Sequence, residues 1–283
     1  MKYIQTIIIA ILATATLNAT VNIPTTISQE AQIELQNIST WMYEDTNYED
    51  IDKANLVYGN IEYRLNTPKH TLDETKIIIY VGDAYHNDNM GDNFASYLAH
   101  HTHYITYFVK RINSQNLSYL ENFIKTIKAN SNKKIIAIGN ITGSYLLMNY
   151  LDNTNYFYKV ILISMFANDK VGDTYNLQFK DGSYFRNREH QSKYIDLKEV
   201  PKQIFSEDKT IKNDYVSLPD VMFITGTKDF AYSDTLRTAN YMEHQFINNV
   251  KTYILEGMWT NFIQHDIPER DKLLIQIQKF ISN

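Results

Sequence analysis

The 283-residue chain contains no cysteine, so it can form no disulfide, carries no thiolate for a metal or a nucleophilic step, and has no site for a lipoprotein anchor. It also lacks a one-signed charge run. Its net charge is −5 and its acids and bases are mixed along the chain. That mixture argues against a nucleic-acid footprint, and no polybasic amphipathic stretch points to a membrane surface. Internal repeats and low-complexity segments are absent as well. Tyrosine is plentiful at 22 residues. Ile, Asn and Lys are abundant beside it, as an A+T-rich coding sequence would produce, so the tyrosines carry no functional weight. The Asn-x-Ser/Thr matches at Asn37, Asn116 and Asn140 are what an Asn-rich chain gives by composition.

The N-terminus reads as a targeting segment. Lys2 precedes an apolar stretch from Tyr3 to Leu12, and Ala13-Thr14-Ala15 and Leu17-Asn18-Ala19 offer small residues for cleavage. The pattern predicts a signal peptide over 1–19 and an exported protein, periplasmic or secreted, with no membrane span after cleavage. Residues 20–283 are then long enough for one large domain with a well-buried core.

Along that domain, short β-branched runs alternate with segments of helical spacing. Residues 27–42 have partial helical spacing, with Ser28 as a cap. The acidic stretch Thr46 to Asp52 reads as a loop, and Leu56 to Leu65 alternates as one edge strand facing water on one side. Lys76 to Val81 is a continuous apolar run and predicts a central strand. A helix begins near Phe94, a strand covers Tyr104 to Val109, and Leu117 to Ala129 is amphipathic. Ile135 to Ile138 and Lys159 to Ile163 are further buried strands. Regularity fails from Phe166 to Pro219 and resumes with a strand at Val221 to Thr225, a helix at Leu236 to Phe246, a strand at Lys251 to Leu255 and a helix at Lys272 to Ile281. This alternation predicts an α/β fold, a mostly parallel sheet with helices on both faces. Residues 166–219 form a cap-like insertion between core strands, at the end where a ligand would lie.

The stretch with the sharpest chemical meaning is Ile136-Ala137-Ile138-Gly139-Asn140-Ile141-Thr142-Gly143-Ser144. A strand runs into Gly-x-x-x-Gly and then into a helix, the layout of a nucleophile elbow. Its sequence resembles the elbow of the α/β-hydrolase superfamily, and three other segments resemble that superfamily in the same order. Ile77 to Asp83 is similar to the strand and oxyanion loop, with Val81 where His is usual and Gly82 kept. Met222 to Asp229 is similar to the strand and turn that present the acid, which places it at Asp229. Leu255 to Phe262 is similar to the loop of the catalytic His, whose position falls on Thr260, five residues before His265.

The resemblance covers about residues 55–282 and implies the α/β-hydrolase fold, with no cofactor. It does not carry the chemistry over intact. Ile141 stands where the nucleophile would be, and an alkyl side chain cannot attack a carbonyl. The expectation is an exported, hydrolase-like protein without serine-hydrolase activity that binds a small molecule or a protein through its cleft. The alternative is an esterase-type enzyme using Thr142 or Ser164 with His265 and Asp229. Gly82, Asp83, Asn140 and Thr260 are the remaining expected cleft residues. Asp229 could equally serve the turn after Gly226, since Asp accepts backbone N–H bonds well, and Ser144 reads as a small packing or cap residue. His86, His100, His101 and His103, near Asp83, Asp88 and Asp92, lack the spacing of a tetrahedral site. The expectation is no metal, with the histidines marking a helix end.

Overall fold

The computed structural model describes residues 26–36, 47–71, 74–82, 88–110, 117–148, 150–151, 156–165, 219–229, 231–245 and 250–283. The expected signal peptide, Asp83 and all of the expected insertion except Pro219 lie outside these residues. In chain order the elements are α1 (Gln29–Gln36), β1 (Ile51–Tyr58), β2 (Ile61–Pro68), β3 (Lys76–Val81), α2 (Asp88–Thr102) and β4 (Thr106–Val109). They continue with α3 (Leu117–Asn130), β5 (Lys134–Asn140), α4 (Thr142–Met148), β6 (Lys159–Ile163), β7 (Asp220–Gly226), α5 (Tyr232–Gln245), β8 (Val250–Leu255) and α6 (Pro268–Ser282).

The strands form one eight-stranded sheet in the order β1-β2-β4-β3-β5-β6-β7-β8. β1 and β2 are antiparallel, β2 meets β4 antiparallel, and every pairing from β4 to β8 is parallel. The parallel strands are apolar at nearly every position because both of their faces are covered. Alternation along each strand divides the core in two. Ile77, Ile79, Ile135, Ala137, Val160, Leu162, Val221 and Phe223 pack with Leu120, Phe123 and Ile124 of α3, with α4, and with Ala239 and Met242 of α5. Ile78, Tyr80, Ile136, Ile138, Ile161, Ile163, Met222 and Ile224 pack with α1, α2 and α6.

Two local expectations are corrected. Leu56 to Leu65 is a hairpin, with Tyr58 opposite Ile61. Gly59, at φ +58°, occupies the first central position of its turn, where type II′ hairpins place glycine. Alternation runs through the turn unbroken, which is why the pattern reads as one strand. The end of the stretch read as a loop, Ile51 and Asp52, belongs to β1. Elsewhere the differences are at boundaries: α2 begins at Asp88 ahead of Phe94, and α6 begins at Pro268, whose ring suits the first turn of a helix. His100 and His101 do lie in the last turn of α2. His103 follows at φ +55° and its N–H bonds Ala99 O at 3.0 Å, so a histidine fills the left-handed position that usually falls to glycine.

Two lysines, Lys159 buried and Lys76 partly buried, finish the bottom of the sheet. Lys159 donates to Phe280 O at 2.7 Å and Lys76 to Ile281 O at 3.3 Å. Both ammonium groups thus meet the carbonyl end of α6, where the helix dipole favours cations.

Candidate functional site

The ends of β6 and β7 and the segment after β8 converge on Asp229, and the end of β5 is tied to that last segment. The elbow comes first. β5 ends at Asn140, Ile141 turns the chain, and α4 starts at Thr142. Two glycines make the turn possible through close approach of backbone. A Cβ on Gly139 would stand 2.5 Å from the Ser144 backbone, and one on Gly143 would stand 1.9 Å from Val81 O. Gly143 therefore presses the start of α4 against the end of β3. Ser144 staples the same helix to β6, donating to Ile163 O and accepting from Ile163 N, each at 2.8 Å.

Ile141 sits at the apex with φ +50°. That backbone region is uncommon for any L-residue and an outlier for a β-branched one. Its N–H bonds Ile163 O at 2.9 Å, and its side chain is 2 % exposed in the core that holds Val81, Tyr145 and Met165. Among the described residues four non-glycine positions have positive φ, and three of them, Ile141, Ser164 and Asn261, follow strands at this end of the sheet. Such conformations persist where the surrounding structure over-determines them, and they concentrate at functional sites.

Asp229 lies just beyond β7 and is fully buried. Its turn is zipped to the turn after β8: Thr227 N donates to Leu255 O at 3.0 Å, Lys228 N to Met258 O at 2.9 Å and Gly257 N to Thr227 Oγ1 at 2.8 Å. Gly226 is needed there because a Cβ would stand 2.1 Å from Met258 O. This zipper brings Thr260 to the carboxylate. Thr260 Oγ1 donates to Asp229 Oδ1 at 2.6 Å, and Ala231 N donates to the same oxygen at 2.9 Å. Ser164 donates to Oδ2, and Thr225 Oγ1 does so at 3.4 Å. Burial pushes the Asp229 carboxyl above the usual carboxylate range, and the bonds from Ser164, Thr260, Ala231 and Thr225 pull it back down. Three hydroxyls and one amide thus satisfy the acid, and one of those hydroxyls stands at the position read from sequence as that of the histidine.

The other expected residues fall as follows. Thr142 is buried in the first turn of α4. Asn140 donates to Asn261 Oδ1 at 2.6 Å, so the elbow and the segment after β8 are tied directly. Gly82 packs on Phe108, whose ring would be 2.8 Å from a Cβ there. His265 is buried, with its ring 5.4 Å from that of Trp259 and its Nδ1 bonded to Glu34 Oε2 of α1 at 3.1 Å. Burial holds its imidazole below the usual range, while the Glu34 carboxylate pushes the other way. Thr225, Asn261 and Glu34 were not singled out from the sequence. Thr225 had a local signal, four residues before Asp229 in the same strand–turn unit. Glu34 had none, since 231 positions separate it from His265.

The surface histidines form an aromatic cluster. His100 bonds Asp50 at 2.7 Å and stacks on Tyr48, and His101 meets the Tyr97 ring edge-on. Among the described residues no group of three or more His, Asp or Glu is gathered for a metal ion, and no helix is long and apolar enough to cross a membrane.

Strand order, the elbow after β5, the acid after β7 and the closing segment after β8 together define the α/β-hydrolase fold. Solved structures agree. The chain is similar to an esterase/lipase from an uncultured bacterium (12 % identity, 97 % of each chain covered, TM-score 0.68). It is similar also to an esterase of the bacterial hormone-sensitive lipase family (10 % identity, 88 % of each chain, TM-score 0.68). A hormone-sensitive lipase from a metagenome library covers 88 % of this chain and 91 % of its own at 15 % identity, with a TM-score of 0.67. No protein-family model and no curated protein matches the sequence. Identities this low speak to the fold, and function must be argued from the site.

Proposed function

We propose that this is an exported α/β-hydrolase-fold protein without serine-hydrolase activity, which acts by binding a ligand or partner at the C-terminal end of its sheet. Ile141 carries the reading. An apolar side chain occupies the strained apex from which a nucleophile would act, and deleting a triad nucleophile costs on the order of 10⁶-fold in rate in well-studied enzymes. The arrangement around Asp229 supports it: Thr260 and Ser164 occupy the carboxylate that would otherwise orient an imidazole. A fluorophosphonate probe and a panel of short- and long-chain acyl esters test the proposal on the mature protein. The expected result is neither labelling nor turnover. Stoichiometric labelling would overturn it, and cell fractionation with N-terminal sequencing checks export.

A second reading, an esterase, draws on one observation. The Ser164 hydroxyl is bonded directly to Asp229, and a carboxylate pushed above its usual range is a better general base. Labelling that survives Thr142→Ala but is lost in Ser164→Ala would establish it.

A further inference from the structure

β1 is the terminal strand of the sheet, paired with β2 alone among the described strands. From Ala54 to Tyr58 every residue is exposed, on both faces, and Leu56, Val57 and Tyr58 are apolar; Val57 is 69 % exposed. Sheet edges are ordinarily blunted by short length, proline, bulges or charge. β1 runs for eight residues in unbroken register with β2, has no proline, and confines its charges to Asp52 and Lys53.

The parity of this edge follows from the hairpin. One step beyond the Ile51–Pro68 pair, Lys69 N donates to Asp50 O at 2.9 Å. Even-numbered residues of β1 therefore turn their backbone groups to β2, and Lys53, Asn55 and Val57 turn theirs outward. Side chains alternate too. Ala54 and Leu56 stand opposite Leu65 and Tyr63 on the α3 side, whereas Lys53 and Val57 stand opposite Asn66 and Glu62 on the other.

We propose that β1 is the interface of a homodimer, in which two copies of the strand pair antiparallel about a twofold axis at Asn55 and join their sheets. Between copies, that axis sets Asn55 opposite Asn55, Val57 opposite Lys53 and Leu56 opposite Ala54. Lys53 of one copy and Glu62 of the other then flank the exposed Val57, on strands about 10 Å apart, close enough for an ion pair over that side chain. Leu56 and Ala54 of both copies form an apolar quartet on the α3 side, the side of the exposed Tyr58 and Tyr119. No like charges face each other. Moving the axis to Lys53 sets that lysine against itself, and moving it to Ala54 sets Lys53 beside Arg64 across Asn55. Moving it to Leu56 leaves only Ala54 to Tyr58 overlapping. A twofold pairing closes on itself, whereas β1 joined to β8 of another copy would propagate without end. The interface uses no residue of the sheet-end site, so it stands whether or not that site binds or hydrolyses anything.

The absence of cysteine makes the register directly testable on the mature chain. Sedimentation velocity should show a monomer that dimerises as concentration rises. Val57→Lys, which opposes Lys53 of the other copy, should abolish the dimer, and Lys53→Glu, which faces Glu62 across Val57, should do the same. The two substitutions together place opposite charges across the axis and should restore it. Under mild oxidation Asn55→Cys should give a disulfide-linked dimer, because its Cα atoms lie about 5.5 Å apart across the axis. Val57→Cys, displaced from its counterpart by about 14 Å along the strand, should not. A chain that is monomeric at every concentration overturns the proposal, as does a dimer that survives Val57→Lys, one that cross-links at 57 in preference to 55, or open-ended assembly. If Asn55→Cys stays monomeric and is shielded from thiol reagents only on adding envelope extract, the edge pairs with a different protein and self-pairing is wrong.

Discussion

A residue that is β-branched, buried and left-handed should respond to truncation in a way no ordinary core residue does. Ile141→Ala removes the side chain but keeps a Cβ at φ +50°. Ile141→Gly removes the Cβ as well. Both lose core packing, and Ile→Ala in a closed core costs about 2–5 kcal/mol. The two variants differ in one methyl group and in backbone freedom. At a right-handed site glycine is worse than alanine by about 0.8–1.0 kcal/mol. At a left-handed site the Cβ clash with the following carbonyl, about 1–2 kcal/mol, is relieved only by glycine. It outweighs glycine's extra unfolded-state entropy, about 0.5–1 kcal/mol. Ile141→Gly should therefore be more stable than Ile141→Ala by about 0.5–1 kcal/mol.

Leu146 supplies the control. It is fully buried, lies one turn along α4 and has ordinary helical backbone. There Leu146→Gly should be less stable than Leu146→Ala by about 1 kcal/mol. Equilibrium urea unfolding of the four variants at 25 °C measures both differences, with a common m-value as the check that the unfolded states are comparable. Opposite signs at 141 and 146 are expected. If Ile141→Gly is the weaker of its pair by half a kcal/mol or more, the elbow is not strained in solution and the account of the turn is wrong.

Four further outcomes follow from the same contacts. Thr260→Val keeps the shape but removes a donor to a buried carboxylate, so it should lower stability by about 1–3 kcal/mol, against much less for Thr260→Ser, by urea titration. Gly143→Ala drives a Cβ to 1.9 Å from Val81 O; backbone on both sides cannot yield, and the loss should reach about 3 kcal/mol or leave the protein insoluble. Asp229 is held above its ordinary 3.8 by burial, so the folded state resists its ionisation and wild type loses stability as pH rises above 3.8. The stability of Asp229→Asn relative to wild type should therefore rise across that window in parallel denaturant titrations, and a falling difference would contradict the assignment. Finally, Ile141→Ser with Thr260→His should show more fluorophosphonate labelling than wild type, while either substitution alone gains little, since triad members act as a unit.

The sequence was most legible where one residue type admits few environments. Ile77 to Tyr80, Ile135 to Ile138 and Lys159 to Ile163 read as strands because only a sheet covered on both faces buries such runs, and the structure places them side by side in the middle of the sheet. The β1–β2 hairpin was hidden because its turn is two residues long and preserves the alternation. Glycine spacing located the elbow, but nothing local to residue 141 could announce that an isoleucine would keep a positive φ. The site was legible only in outline. Asp229 could be named from Thr225-Gly226-Thr227-Lys228-Asp229, yet its donors come from three separate strand ends, and no sequence separation encodes that Ser164 lies beside it. His265 is the nearest histidine in sequence to position 260, whereas in the structure its Nδ1 is bonded to a carboxylate on the first helix.

The elbow around Ile141 has structural causes that do not depend on any reaction. Gly139 is required by the Ser144 backbone, Gly143 by Val81 O and Gly226 by Met258 O. None of these demands involves a nucleophile. The glycines fix how α4 and the two closing turns pack on the sheet, so replacing any of them sacrifices folding whether or not the protein catalyses anything. The side chains on these turns answer to a different constraint. With no imidazole at position 260, a fully buried Asp229 would have one donor fewer, and an under-satisfied buried carboxylate is costly. Threonine at 260 supplies that donor at 2.6 Å, and Ser164 and Thr225 share the other oxygen. The acid ties the ends of β6, β7 and β8 together, and the hydroxyls offset part of the cost of its burial. Sequence around the elbow, the acid and the third loop can thus resemble an enzyme's while every retained residue is explained by packing and hydrogen bonding. That is why activity must be measured with Ser164 and Asp229 intact: they are the two groups whose structural role would also leave them poised for chemistry.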